Sequence, residues 1–164
     1  MAVTDEIMRS WRSPAAAMRR QLPHMTEGRA LTYLLIASVM IIIAQAPRLS
    51  RAAHLNPDVP FEPQFLAAAL GILAVLPAFA YALAAVSHLV SKAMGGQGTW
   101  LGARLALFWT LLAVSPLFLL HGLVAGFIGP GAQLTFVGAI VVAGFLIHWL
   151  LSLREAERGL GAAT

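Results

Sequence analysis

The sequence predicts an all-α membrane protein with four transmembrane helices and an N-terminal interfacial amphipathic helix. Of the 164 residues, 59% are hydrophobic and only 11% are charged, whereas soluble domains are about 25% charged. A soluble fold of this size has too much surface to hide so many apolar residues. The uncharged run from Leu105 to Leu153 is long enough for two spanning helices of about 20 residues each, and Gly129-Pro130-Gly131 supplies the turn between them.

Residues 1–29 precede the first span, and their apolar side chains recur at roughly helical spacing. We expect two short helices, Thr4–Arg12 and Pro14–Leu22, because Ser13 suits an N-cap and Pro14 the first helical position. They should lie on the membrane surface, with apolar groups against lipid and arginines against anionic headgroups. The alternative is a solvated tail. The expected lipid or partner contacts are Ile7, Arg9, Trp11, Arg12, Met18, Arg19 and Arg20.

A four-helix transmembrane domain follows over residues 30–153, and residues 154–164 form a short solvated tail. Pro47 is expected to end the first span, and the proline-rich segment 47–64 to form a polar loop, in which residues 47–54 could still make one or two amphipathic turns at the interface. A glycine-rich turn over residues 91–100 joins the second and third spans. The predicted spans are about 30–46, 65–90, 101–128 and 133–153.

The distribution of arginine and lysine predicts the orientation of these spans. Four spans place both termini on one side, and most of the cations fall on that side. Only Arg48 and Arg51 lie on the other. The positive-inside rule therefore predicts a multi-pass protein of the cell (inner) membrane with both termini in the cytoplasm. The net charge of +4 is explained by these helix ends, so no nucleic-acid partner is expected.

The residues that could carry chemistry are few. The chain has no cysteine, which excludes thiolate chemistry and disulfides. Proton-coupled transporters rely on intramembrane carboxylates, and the predicted spans contain no Asp or Glu. His88 and His148 lie toward the same surface on different helices, a pattern that two haem ligands would share. The alternative is that each ring binds neighbouring side chains or headgroups. We expect no catalytic residue, no metal site and no cofactor, with haem as the one possibility.

Two further groups are predicted contacts. The turn residues Gly95, Gly96, Gly98 and Trp100, with Arg104 just beyond them, are expected to meet a partner or lipid, and the Arg104 side chain to extend to lipid phosphate. The turn lacks the spacing of a phosphate-binding P-loop. Helix packing is expected to involve Pro77, Ser115, Pro116, Gly122 and Gly126, because small residues let helices approach closely.

Three stretches resemble the bacterial members of the Yip1-domain family of polytopic membrane proteins. Trp11 with Ser13-Pro14 resembles the segment before the family's first span. The run Gly95–Trp100 is similar to its glycine-rich entry to the middle span, and Ser115-Pro116-Leu117 to the centre of that span. The family commonly has five spans, and this chain has four predicted ones. Eukaryotic members contact small GTPases, but their acidic-Leu-Tyr-Gly-Pro motif is absent here.

The sequence therefore predicts a non-enzymatic integral membrane protein that acts as a scaffold, assembly factor or accessory subunit of a larger membrane complex. Its expected partners are the bilayer, anionic headgroups and other integral membrane proteins. One alternative is a membrane protein that binds haem or a small molecule through His88 and His148. A small-solute transporter is the other.

Overall fold

The computed structural model describes residues 3–158, which are helical and contain no strand. Four of the helices are long and apolar enough to cross a membrane, so the chain is a multi-pass membrane protein. A single 3-10 turn, Leu22–His24, joins the second and third helices. The helices are α1 Val3–Arg12, α2 Pro14–Gln21, α3 Glu27–Leu55, α4 Phe61–Ala93, α5 Trp100–Phe127 and α6 Ala132–Glu157.

Helix α5 lies at the centre and contacts α3, α4, α6 and α1. Every residue from 105 to 115 is buried, and Phe108 and Trp109 are the largest of the enclosed side chains. A helix that is apolar on all faces is either buried or lipid-exposed. In α5 the first half is enclosed by protein, whereas α4 and α6 expose most of their apolar surface.

The two ends of the bundle are held by different interhelical contacts. Arg104 at the start of α5 pairs with Glu27 at the start of α3, and the Gln97 N–H donates to the carbonyl oxygen of Glu157 over 2.8 Å. The start of α3 and the end of α6 therefore lie at the same end of the bundle, which we name the terminal side. At the opposite end, the loop side, Arg51 donates to the carbonyl oxygen of Gly126.

The predicted end of the first span at Pro47 was wrong. Helix α3 continues through Pro47 to Leu55, and only residues 56–60 separate it from α4. A proline is tolerated inside a membrane helix where neighbouring helices support the freed backbone. Here Gly126 of α5 lies directly against Pro47, which gives the proline ring a close protein neighbour.

The predicted solvated tail was wrong for Ala156 and Glu157, whereas Arg154 and Arg158 are exposed as expected. Helix α6 extends past Leu153 to Glu157, and Ala156 and Glu157 are buried. Residues 159–164 lie outside the described residues.

Gly122 and Gly126 bring α5 against α3. A β-carbon on Gly122 would lie 1.9 Å from the carbonyl oxygen of Ala44, and one on Gly126 would lie 2.5 Å from Cβ of Pro47. Real side chains do not fit at such distances, so the two helices meet backbone to backbone. The glycine pair is thus used for packing inside this chain.

Helices α1 and α2 form a hairpin, which we name the N-terminal hairpin. The Ser13 hydroxyl accepts a hydrogen bond from the Ala16 N–H, and Pro14 is the first residue of α2. This confirms the predicted helix start. The hairpin packs against α5 and α6, and the Trp11 indole N–H donates to the carbonyl oxygen of Ala113 over 2.9 Å.

Part of the hairpin face expected to meet lipid meets protein instead, whereas Met8 and Trp11 stay exposed. Met18 is fully buried, so its assignment as a lipid or partner contact was wrong. The Trp11 ring lies against Gly144 of α6, and Ile7 packs against the hydrophobic core. Packing against α5 and α6 thus covers part of the apolar surface that the pattern assigned to lipid. The position of the hairpin relative to the bilayer stays a prediction.

Two of the hairpin arginines expected at headgroups form ion pairs within the chain. Arg19 Nη1 lies 2.9 Å from Glu155 Oε1. Arg20 Nη2 lies 2.7 Å from Glu6 Oε1, which links α2 to α1. Arg12 is exposed and remains available to a headgroup.

We expect Gly122→Ala to destabilise the folded protein by about 2 kcal/mol, because the added methyl group collides with the α3 backbone. Gly71→Ala is the matched control: a β-carbon there meets nothing within 4 Å, and alanine favours a helix. Unfolding of each purified variant in mild detergent measures the difference. Equal midpoints for the two variants would contradict the close approach.

We expect Trp11→Phe to cost about 1 kcal/mol more than Trp149→Phe. Both changes remove an indole, but only Trp11 donates to a described acceptor, whereas Trp149 Nε1 is buried without a partner in the described residues. The same unfolding measurement compares them. A smaller loss for Trp11 than for Trp149 would show that the bond to Ala113 contributes nothing.

Candidate functional site

The glycine-rich turn on the terminal side is shaped by what it touches. Gly95 has a φ of 93°, a conformation that glycine adopts without strain. A β-carbon on Gly98 would lie 2.5 Å from the carbonyl oxygen of Ala156, and one on Gly96 would lie 3.1 Å from Oε2 of Glu157. The backbone of the turn packs directly against the end of α6, and this close approach requires glycine at Gly96 and Gly98.

A buried pair of titratable side chains lies under this turn. His88 Nδ1 is 2.8 Å from Glu157 Oε1, and the two side chains are only 4% and 6% exposed. The Trp100 ring covers His88, with ring centroids 4.5 Å apart. A buried carboxylate requires a partner, and His88 is the one that α4 supplies. We name this unit the His88–Glu157 pair.

Of the two residues in this pair, the sequence indicates His88 as a candidate site residue. It predicts that Glu157 lies in a solvated tail, which is wrong. No sequence signal distinguishes Glu157 from an ordinary acidic residue after a span, because the burial of the last turns of α6 is seen only in the structure.

His148 lies in a different environment from His88. Its Nδ1 is 3.0 Å from Thr110 Oγ1 and 3.4 Å from Ser152 Oγ, and the Trp11 ring meets it edge-on, with centroids 5.9 Å apart. Its Nε2 is buried without a partner in the part of the chain that the structure describes.

The two histidines thus have separate sets of partners and share none. Residues 3–158 contain no group of three His, Cys, Asp or Glu side chains placed to hold a metal ion. The geometry gives no reason to pair His88 with His148 around one haem, and the haem hypothesis stays a prediction.

Arg104 has partners inside the chain. It pairs with Glu27, and its guanidinium lies 5.2 Å from the centroid of the Tyr81 ring, a distance suited to a cation–π contact. These contacts tie the starts of α3 and α5 to α4. The side chain is 29% exposed, so the structure uses Arg104 mainly to join helices, whereas we expected it to extend to lipid phosphate.

A cavity of about 770 Å³ opens beside the His88–Glu157 pair. We name it the terminal pocket. One wall comes from the end of α4 and the glycine-rich turn, and the other from the last turns of α6. The lining residues are Ser91, Met94, Gly95, Gly96, Gln97, Leu150, Leu153, Arg154, Glu157 and Arg158.

A second cavity, about 500 Å³, lies toward the loop side between α3 and the first half of α4. We name it the α3–α4 groove. Its lining is almost entirely apolar, except for Gln45 and Arg48, which hydrogen-bond to each other.

Comparisons of the chain with protein-family models, with curated proteins and with solved structures found no match. The class of protein defined here is a multi-pass helical membrane protein. The resemblance to the Yip1-domain family stays a prediction.

We expect His88→Ala to destabilise the protein by about 3 kcal/mol, because it leaves the Glu157 carboxylate buried without a partner. His54→Ala is the control: His54 lies in the last turn of α3 and is exposed, so its removal should change stability by less than about 0.5 kcal/mol. Thermal unfolding in detergent compares them. Restoring stability with His88→Ala/Glu157→Leu would confirm that the unpaired carboxylate is the cause.

Proposed function

We propose that this chain is a non-enzymatic subunit, scaffold or assembly factor of a larger membrane protein complex, and that α4 is the helix that docks the partner. The observation that carries the proposal is the exposure of α4. None of its residues from 61 to 79 is buried, and the first buried one is Ala80. Pro77 lies just before this change.

The exposed part of α4 has the surface chemistry of a helix-docking face. Small residues recur at spacings of three and four, which places them on one side of a helix. All of them are exposed. This stripe consists of Ala67, Gly71, Ala74, Ala78 and Ala82.

Small residues at a membrane helix surface let a second helix approach closely, which gains packing that lipid chains do not match. Several other small residues of this kind already have partners in the chain. Gly122 and Gly126 meet α3, and Ala80 and Ala84 are buried in the core. The stripe on α4 has five exposed small residues, more than the exposed pair Ala139 and Ala143 on α6, and a transmembrane helix of another protein is the occupant that fits it.

The proposed orientation follows from charge. The terminal side holds the arginines of the N-terminal hairpin with Arg29, Lys92, Arg104, Arg154 and Arg158, and the loop side holds Arg48 and Arg51. We place the protein in the cell (inner) membrane, with the terminal side facing the cytoplasm. The docking stripe then begins near the outer surface and reaches past the middle of the bilayer.

The test is in-cell cross-linking of the full-length tagged chain, followed by purification in mild detergent and mass spectrometry of what is attached. We expect one or more integral membrane proteins to be recovered with the unmodified chain. Ala74→Leu/Ala78→Leu should reduce that recovery at least tenfold, because the leucines hold a second helix away from the stripe. Membrane insertion and the unfolding midpoint should stay unchanged, since both positions are exposed.

The matched control is Ala139→Leu/Ala143→Leu, which places the same side chains on the exposed face of α6. This pair should leave recovery intact. Loss with the α6 pair alone would move the docking face away from α4. A chain recovered only with copies of itself, or with lipid alone, would overturn the proposed role in a larger complex.

A further inference from the structure

We propose that the terminal pocket binds one anionic phospholipid, with its phosphate between Arg154 and Arg158 and one acyl chain along the apolar wall at Leu150. This inference is independent of the docking role of α4, because the pocket and the stripe lie on different parts of the molecule. The pocket volume of about 770 Å³ falls in the range of small-molecule sites, about 300–1,000 Å³.

The arginines in the pocket are available for an anion. Arg154 and Arg158 are four residues apart on α6, so they lie on the same helix face, and both are exposed. Within residues 3–158, Arg154 has no hydrogen bond or ion pair. Arg158 makes a long contact of 3.3 Å to Glu155, whose other carboxylate oxygen is taken by Arg19 at 2.9 Å.

The acidic residue in the pocket offers no accessible oxygen to these arginines. Glu157 gives its Oε1 to His88 over 2.8 Å, and its Oε2 is buried. Because Gly96 has no side chain, the backbone of the turn can lie close to Oε2 of Glu157 and cover it. The accessible charges of the pocket are therefore the two guanidinium groups, which favour a phosphate through charge-assisted hydrogen bonds.

The apolar wall makes a lipid a better fit than a soluble anion. Leu150 is 57% exposed and Met94 is 83% exposed, and both line the pocket beside the arginines. A dissolved phosphate would leave this surface in water, whereas an acyl chain would cover it.

The depth of the pocket agrees with a headgroup. The uncharged run of α6 ends at Leu153, and Arg154 is the first charge after it. That transition marks the level at which apolar chains give way to phosphates, and basic residues at this level attract anionic lipids. A phosphate held by Arg154 would have its chains directed back along Leu150.

The experiment is native mass spectrometry of the full-length, delipidated protein in detergent, titrated with phosphatidylglycerol, with phosphatidylcholine and with inorganic phosphate. We expect one phosphatidylglycerol to bind at least tenfold more tightly than phosphatidylcholine, and inorganic phosphate not to compete. Arg154→Gln/Arg158→Gln should lose this preference, because each arginine contributes to the attraction. Ser91→Phe should weaken both lipids by filling the cavity.

Two matched controls isolate the site. Arg12→Gln/Arg48→Gln removes the same number of exposed arginines elsewhere, and Ala93→Phe adds the same ring at an exposed position outside the pocket. Both should bind as the unmodified chain does. Equal binding by Arg154→Gln/Arg158→Gln and the unmodified chain, equal affinity for the two lipids, or competition by inorganic phosphate would each overturn the proposal.

Discussion

The enclosure of α5 is the constraint on which the rest of the structure depends. A helix that touches α3, α4, α6 and the N-terminal hairpin at once needs apolar or small side chains on every face, and residues 105–115 are buried without interruption. It also needs neighbours that come close, which Gly122 and Gly126 allow on the α3 side. The polar groups that remain inside, such as Thr110 and His148, are bonded to each other across helices.

The number and apolar character of the spans were predictable, because charge-free segments of sufficient length leave few alternatives in a chain of this composition. The ends of the helices were less predictable. Pro47 has the sequence signature of a helix end, but its tolerance inside α3 depends on Gly126, which is far away in the chain. Likewise the charges after Leu153 indicate a water-exposed tail. Arg154 and Arg158 are exposed, but Ala156 and Glu157 are buried against the glycine-rich turn.

The candidate site shows the same division. The glycine-rich turn and His88 stand out in the sequence, because a cluster of glycines between two spans and a histidine near the end of a span are uncommon. Their partner Glu157 does not, since an acidic residue at a helix end is ordinary. The amphipathic pattern of the N-terminal segment was recognised, but a hydrophobic pattern does not distinguish lipid from protein as the surface it will cover. In this chain Met18 faces protein.

The contacts of the N-terminal hairpin also set an order for assembly. Trp11 donates to Ala113, and Arg19 pairs with Glu155, so residues at the beginning of the chain are held by residues made near its end. During synthesis the hairpin emerges before either binding surface exists. Its seating can therefore occur only after α5 and α6 have been made. A chain interrupted before α6 would still contain Ala113 but would lack Gly144 and Glu155, against which Trp11 and Arg19 are held, so its hairpin would lose part of the surface on which it packs.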